Sequence, residues 1–120
     1  MRILIVDDNI KWVDDISDIL SVIGHQCDGF SDPLLAVEAY KVKPYDLVIT
    51  DLVMPGIDGL QVAKAIKEYD PQAVVVIITG AAVDTERITS QKSAAALMFK
   101  PISLTELFDF MDNVQRAKVS

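Results

Sequence analysis

Five polar residues follow or end short apolar runs in this 120-residue sequence. Asp7 and Asp8 follow one run, Asp51 follows another, and Thr79 and Lys100 stand at the ends of two later runs. If the runs are parallel strands, their carboxyl ends meet at one edge of a sheet. The sequence therefore predicts a pocket that combines carboxylates, a hydroxyl group and an ammonium group.

The chemistry of such a pocket follows from its charge. Carboxylates that are close together repel one another, so their pKa values rise unless positive charge compensates them. One divalent cation and the Lys100 ammonium together match the charge of the three acids. Magnesium, or manganese in its place, suits oxygen ligands without histidine or thiolate. Thr79, Lys100 and the metal can each take one oxygen of a phosphoryl group, which is the arrangement that phosphoryl transfer requires.

The apolar runs that position these residues are typical of strands buried on both faces of a parallel sheet. Residues 3–6, 47–50, 74–79 and 95–99 are four such runs, and residues 26–30 form a weaker fifth that fits an edge strand. Helical patterns alternate with the runs. Five β/α units with short connections predict an α/β fold, a three-layer, doubly wound, five-stranded parallel sheet.

The helical patterns have recognisable starts and apolar faces. Asp32 and Asp58 predict N-caps, and Ser103 opens a capping-box pattern. Residues 84–93 are the exception, because Ile88 is almost their only large apolar side chain, and a helix there would be loosely anchored. The inward-facing residues expected in the other helices are Val13, Ile16, Leu20 and Ile23; Leu35, Val37, Ala39 and Tyr40; Val62, Ala63 and Ile66; and Leu104, Leu107, Phe108 and Met111.

Composition narrows the function and the cellular setting. A net charge of -7 argues against direct nucleic-acid binding, because phosphate backbones select basic surfaces. Cys27 is the only cysteine, so no intramolecular disulfide can form, and a reducing, cytoplasmic location is expected. No signal-peptide core or membrane-length apolar run is present, so no membrane association is expected. The length fits one domain, residues 1–120.

Four motifs, in this order and spacing, resemble the receiver domain of bacterial two-component response regulators, the CheY-like superfamily. They are "VDD" after the first run, "TDLVMPGIDG" around the third, "TG" after the fourth and "KP" after the fifth. The resemblance implies a flavodoxin-like sheet with strand order 2-1-3-4-5. It also implies a phosphorylation switch that assists its own phosphorylation and dephosphorylation and is otherwise not an enzyme.

The resemblance gives each acid of the pocket a role. Asp51 is the expected phosphoacceptor for a phosphohistidine on a sensor histidine kinase or a histidine phosphotransfer protein. Asp8, Asp51 and the backbone carbonyl of Val53 are the expected magnesium ligands. Asp7 would act on the metal mainly through a bound water.

The resemblance also implies how the signal leaves the pocket. Thr79 would hydrogen-bond the phosphoryl group, and Lys100 would pair with it and with Asp51. Residues 84–93, the last strand and the last helix would form the output surface for a downstream effector, a fused output domain or a homodimer. Leu97 stands where family members usually carry a Tyr or Phe that changes rotamer, a departure that concerns the switch and not the phosphoacceptor chemistry.

Four further residues border the predicted site. Trp12 and Pro101 are expected to take part in docking of the phosphodonor, although Trp12 can also be half-packed core. Family members have a cis peptide bond before the proline matching Pro101, which would aim Lys100 into the pocket. Val53 and Ala81 are small and apolar and cannot position a water molecule, so slow autodephosphorylation is expected.

Other interpretations of the same residues stay open. Asp7 and Asp8 can simply cap the first helix, and Asp51 can start a turn. A haloacid-dehalogenase-type phosphatase also uses a strand-end aspartate, but it needs a second acid where Val53 stands. A flavodoxin-like FMN module shares the fold, yet acids after the first strand would repel its phosphate. A phosphorylation-independent interaction module is made plausible by Leu97.

Overall fold

The computed structural model of the chain describes residues 1–80 and 94–119. The predicted, loosely anchored helix over residues 84–93 lies outside the described residues, and so does Ala81. The elements in the described part are β1 (Arg2–Val6), α1 (Ile10–Val22), β2 (Gln26–Phe30), α2 (Pro33–Val42), β3 (Leu47–Thr50), α3 (Gly59–Tyr69), β4 (Val75–Thr79), β5 (Ala96–Phe99) and α4 (Leu104–Val119).

The five strands form one parallel sheet in the order β2-β1-β3-β4-β5, which confirms the expected topology and the edge position of β2. The register pairs Val6 with Thr50, the last residues of β1 and β3, and it pairs Thr79 with Phe99, the last residues of β4 and β5. The acids that follow β1 and β3 and the lysine that follows β5 therefore emerge at the same edge of the sheet.

Helices cover both faces of the sheet and produce three layers. Because successive strand residues point to opposite faces, β1, β3 and β4 each contribute to two separate cores. The core on the α2 and α3 side contains Leu4, Val6, Val48 and Val75, and the core on the α1 and α4 side contains Ile3, Ile5, Ile49 and Ile78.

No helix of residues 1–80 and 94–119 is long and apolar enough to cross a membrane.

Side-chain caps determine where the helices begin. Asn9 caps α1, Asp32 caps α2 and Ser103 caps α4. Asp58 and Gln61 form a reciprocal capping box at the start of α3. The caps predicted for α2, α3 and α4 are confirmed. The interpretation in which one of the two aspartates before Asn9 caps α1 is wrong.

Two residues expected in the core are exposed. Ile23 is 51% exposed because α1 ends at Val22, before the chain turns at Gly24 with a φ of 100°. Leu35 is 56% exposed because it lies beside the buried stripe of α2 and not within it. That stripe is formed by Pro33, Ala36, Val37 and Tyr40.

Gly59, the first residue of α3, brings this helix against the loop that follows β3. Its backbone N–H donates to the carbonyl oxygen of Leu52 at 2.8 Å. A Cβ at Gly59 would lie 2.3 Å from the carbonyl oxygen of Asp51 and 3.0 Å from the Cα of Leu52. Both neighbours are backbone atoms, so rotation of a side chain cannot relieve the overlap. The start of α3 therefore fixes the backbone that carries Asp51.

We expect Gly59→Ala to lower the free energy of unfolding by about 1–3 kcal/mol, the usual cost of overpacking a close contact. Urea denaturation followed by circular dichroism measures this change. Gly80→Ala is the matched control, because its new Cβ would lie 3.6 Å from the nearest atom, which is ordinary van der Waals contact. Equal unfolding midpoints for the two variants would contradict the prediction.

Candidate functional site

Three carboxylates meet at the edge of the sheet where the strands end. Asp7 and Asp51, which directly follow β1 and β3, are buried, and Asp8 is exposed. One carboxylate oxygen from each residue lies within 4.8 Å of those of the other two. The structure thus brings together the three acids that the sequence predicts at this edge.

Lys100 reaches this acidic cluster from the end of β5. Its Nζ lies 2.6 Å from Oδ2 of Asp7 and 3.8 Å from Oδ2 of Asp51. Its backbone N–H donates to the carbonyl oxygen of Thr79 at 2.9 Å, and the peptide bond to Pro101 is cis, as expected. The ammonium group therefore lies between two buried acids and makes its shorter contact with Asp7.

Both oxygens of Asp7 accept hydrogen bonds from the protein. Oδ1 accepts from the backbone N–H of Asn9 at 2.9 Å, and Oδ2 accepts from Lys100. The side chain of Asn9 in turn accepts from the backbone N–H of Trp12 at 3.2 Å. Asp7 thereby joins the pocket to the first turn of α1. Sequence analysis missed Asn9, although an asparagine directly before an apolar helical pattern is a cap signal.

The Asp51 carboxylate is hydrogen-bonded to the next residue of the chain, and its surroundings disfavour its negative charge. Its Oδ1 accepts from the backbone N–H of Leu52 at 2.9 Å. Burial raises the pKa of Asp51, and the Asp7 carboxylate raises it further, with a smaller contribution from Asp8. Lys100 and the Leu52 N–H act in the opposite direction without reversing the shift. The lysine therefore compensates the crowded acids only in part.

The other predicted residues surround this cluster. Thr79 is buried at the end of β4, and Val53 is 59% exposed in the loop after Asp51. Pro101 is exposed. Trp12 is half-buried in the first turn of α1, and the Nζ of Lys100 lies 4.6 Å from the centroid of its ring.

Leu97 connects β5 with the loop that follows β3. It pairs with Ile77 in the sheet register. The two side chains belong to a small apolar cluster that also contains Leu52, the residue next to Asp51. Leu97 is apolar, and it packs against the same cluster as the residue next to Asp51.

Comparison with known proteins finds similar proteins over nearly the whole chain. The sequence model of the response regulator receiver domain matches residues 3–112. The transcriptional regulatory protein TcrA of Mycobacterium tuberculosis is 33% identical over 109 residues, which are 90% of this chain and 43% of TcrA. The response regulator receiver protein CpdR of Brucella abortus is 29% identical over 94% of this chain and 95% of CpdR. The chain thus spans less than half of one of these relatives.

A solved structure supports the same grouping. The response regulator TrrA of Thermotoga maritima, in complex with Mg²⁺-BeF, superposes with a TM-score of 0.84 at 28% identity, over 94% of this chain and 97% of TrrA. The phosphatase and FMN alternatives do not fit these relatives. The chain belongs to the family of response regulator receiver domains, the signalling domains of two-component systems.

Proposed function

We propose that residues 1–120 act as a single receiver domain that accepts a phosphoryl group on Asp51. The observation that carries this proposal is the position of the Lys100 ammonium between two buried carboxylates, 2.6 Å from Asp7 and 3.8 Å from Asp51. A lysine placed there can neutralise negative charge that arrives at Asp51. Membership of the receiver family supports the same assignment.

The proposed reaction is phosphoryl transfer from a phosphohistidine. An oxygen of Asp51 forms the new O–P bond while the P–N bond of the histidine breaks, and the imidazole nitrogen keeps the electron pair and takes up a proton. Lys100 pairs with the negative charge of the phosphoryl oxygens, and Thr79 donates its hydroxyl group to one of them. Hydrolysis of the acyl phosphate by water later restores Asp51, so no external product is turned over.

The donor groups fit a magnesium ion, or manganese in its place. Asp8, Asp51 and the backbone carbonyl of Val53 are the proposed ligands, and all three offer oxygen atoms. Asp7 is proposed to act through a bound water, because both of its oxygens already accept hydrogen bonds. When bound, the ion supplies positive charge that Lys100 alone does not provide. The related TrrA structure in complex with Mg²⁺-BeF supports this choice.

Receiver domains work with sensor histidine kinases and with fused or downstream effectors. The proposed donor is a sensor kinase or a histidine phosphotransfer protein that docks beside the pocket, at Trp12 and Pro101. This encounter is proposed to take place in the cytoplasm, and the domain itself is proposed to make no contact with nucleic acid. The net charge of -7 supports the last point.

The output is proposed to be a change in the surface of β5 and α4; residues 84–93, which the sequence also assigns to the output, lie outside the described residues. Leu97 supports a route to this surface, because it packs in one cluster with Leu52, the neighbour of Asp51. A shift of the loop after β3 would therefore reach β5 through this cluster, together with the movement of Thr79. An effector, or a second copy of the chain, is proposed to bind through this surface.

Acetyl phosphate and magnesium should add one phosphoryl group to the wild-type protein and none to Asp51→Asn, as measured by intact mass. Asp15→Asn is the matched control, since Asp15 is an exposed acid of α1, and it should be labelled like the wild type. Chelation of the metal should stop labelling, and hydroxylamine should remove the group from the acyl linkage. An unlabelled wild type would leave the phosphorylation-independent interaction module as the better interpretation.

Removal of the Asp51 charge should stabilise the metal-free protein. The pKa of Asp51 is raised in the fold, so the native protein keeps the Asp51 proton to a higher pH than the unfolded chain does. The free energy of unfolding therefore falls as the pH rises through that raised pKa. Asp51→Asn should therefore need more urea to unfold than the wild type at pH 7. The difference should shrink when the pH falls below the raised pKa, and also when magnesium is added at pH 7.

The charged groups around Asp51 that set this effect are Asp7, Asp8 and Lys100. Asp15→Asn, which removes an exposed charge, should show no comparable stabilisation. A metal-free wild type that is at least as stable as Asp51→Asn at pH 7 would contradict the prediction.

The phosphorylated protein should lose its phosphoryl group slowly. Val53 is exposed two residues after Asp51 and carries no group that can hold an attacking water. Val53→Asn should speed the decay several-fold, because an amide can orient that water. Val53→Ala, which adds no polar group, should decay like the wild type. The decay of the phosphorylated mass measures both rates, and equal rates for the two variants would refute this explanation.

A further inference from the structure

The indole ring of Trp12 lies against the ammonium group that the proposed chemistry uses. The Nζ of Lys100 is 4.6 Å from the ring centroid, a distance at which an ammonium group is attracted by an aromatic face. We propose that Trp12 is a positioning residue for Lys100. It holds the ammonium beside Asp7 and Asp51 and so promotes phosphoryl transfer without touching the phosphoryl group. The consequence for transfer rests on the proposed function of Asp51.

Lys100 needs such a support because its side chain is long and flexible. A lysine ammonium is a strongly hydrated point charge on a four-carbon stem, and water competes for it. The stem runs beside Gly80, since a Cβ on that glycine would lie 3.6 Å from the Lys100 Cβ and 3.7 Å from its Cδ. The side chain remains 22% exposed. Without the indole, the ammonium gains conformations that point into water and spends less time near Asp51.

Trp12 can restrain Lys100 because Trp12 is itself fixed. Its side chain packs against the core between the sheet and the helices α1 and α4. Its backbone N–H donates to Asn9, the backbone N–H of Asn9 donates to Asp7, and Asp7 accepts from Lys100. Together with the ring contact, these bonds form a closed circuit of four residues. The ammonium is thus held in place before the phosphodonor arrives.

This internal role can be separated from docking of a protein partner. Acetyl phosphate is a small molecule that does not dock through a protein surface, so a residue that acts only in docking should not affect labelling by this donor. A residue that positions Lys100 should affect it. Any additional slowing seen only with a phosphohistidine protein then measures docking at Trp12.

NMR spectroscopy of the metal-free protein tests the contact itself. Ring currents from Trp12 should shift the ε-methylene protons of Lys100 upfield. Trp12→Leu should abolish this shift, and Trp12→Phe should retain part of it. Ile10→Ala is the matched control, because Ile10 is a 62% exposed residue of the same helical turn, and the shift should stay. Lys100 protons without a ring-current shift in the wild type would overturn the proposal.

Labelling by acetyl phosphate with magnesium tests the consequence. Trp12→Leu should slow labelling roughly three- to tenfold. Trp12→Phe should restore part of the rate, and Ile10→Ala should leave it unchanged. In a Lys100→Met background, Trp12→Leu should cause no further loss, because Trp12 acts through the ammonium group.

Two results of the labelling experiment would also overturn the positioning role. One is a rate in Trp12→Leu at or above that of the wild type. The other is equal slowing by Trp12→Leu in the wild-type and Lys100→Met backgrounds, as expected for a purely structural residue. Thermal unfolding of each variant shows whether it folds. If Trp12→Leu does not fold, the labelling rate of Trp12→Phe is compared with that of the wild type instead. An unlabelled wild type overturns the function of Asp51 itself, and the NMR shift then shows whether Trp12 still positions Lys100.

Discussion

Repulsion between carboxylates at the end of a buried sheet is the constraint on which this structure depends. Asp7 and Asp51 are buried, and Asp8 lies beside them. Charges that leave water need partners, and removal of a partner from a buried pair is costly. Lys100 supplies one positive charge, and the pKa of Asp51 nevertheless remains raised. The fold thus maintains a region of excess negative charge that favours binding of a cation.

The fold holds this unfavourable arrangement by fixing the backbone around Asp51. The N–H of Asp51 donates to the carbonyl oxygen of Val6 at 2.8 Å, and the N–H of Gly59 donates to that of Leu52 at 2.8 Å. The two cores on opposite faces of the sheet keep β1 and β3 side by side. A fixed backbone at Asp51 keeps its carboxylate close to the neighbouring charges, and such fixed positions are what preorganised electrostatic sites require.

The strands and the pocket could be predicted from sequence because both follow from local patterns. Strands buried on both faces, such as β1, β3 and β4, are continuous apolar runs, and all five strands of the described residues begin within one residue of their predicted starts. Residues that follow such strands must emerge at one edge, which identified Asp51 and Lys100. The strand order came from the motifs shared with receiver domains. Leu35 was misplaced because the phase of a short helix is set by its neighbours in space. The closer approach of Lys100 to Asp7, and the fit of Gly59 against backbone atoms, depend on tertiary contacts that no local pattern contains.

The contact between Asp7 and Lys100 joins residues 93 positions apart in the chain. During synthesis on the ribosome, the acids appear long before the lysine that compensates them. A chain that ends before residue 100 therefore carries Asp51 without the Lys100 counter-charge, which β5 delivers. The charge balance of the acidic cluster is therefore established only after residue 100 has been synthesised and β5 has joined the sheet.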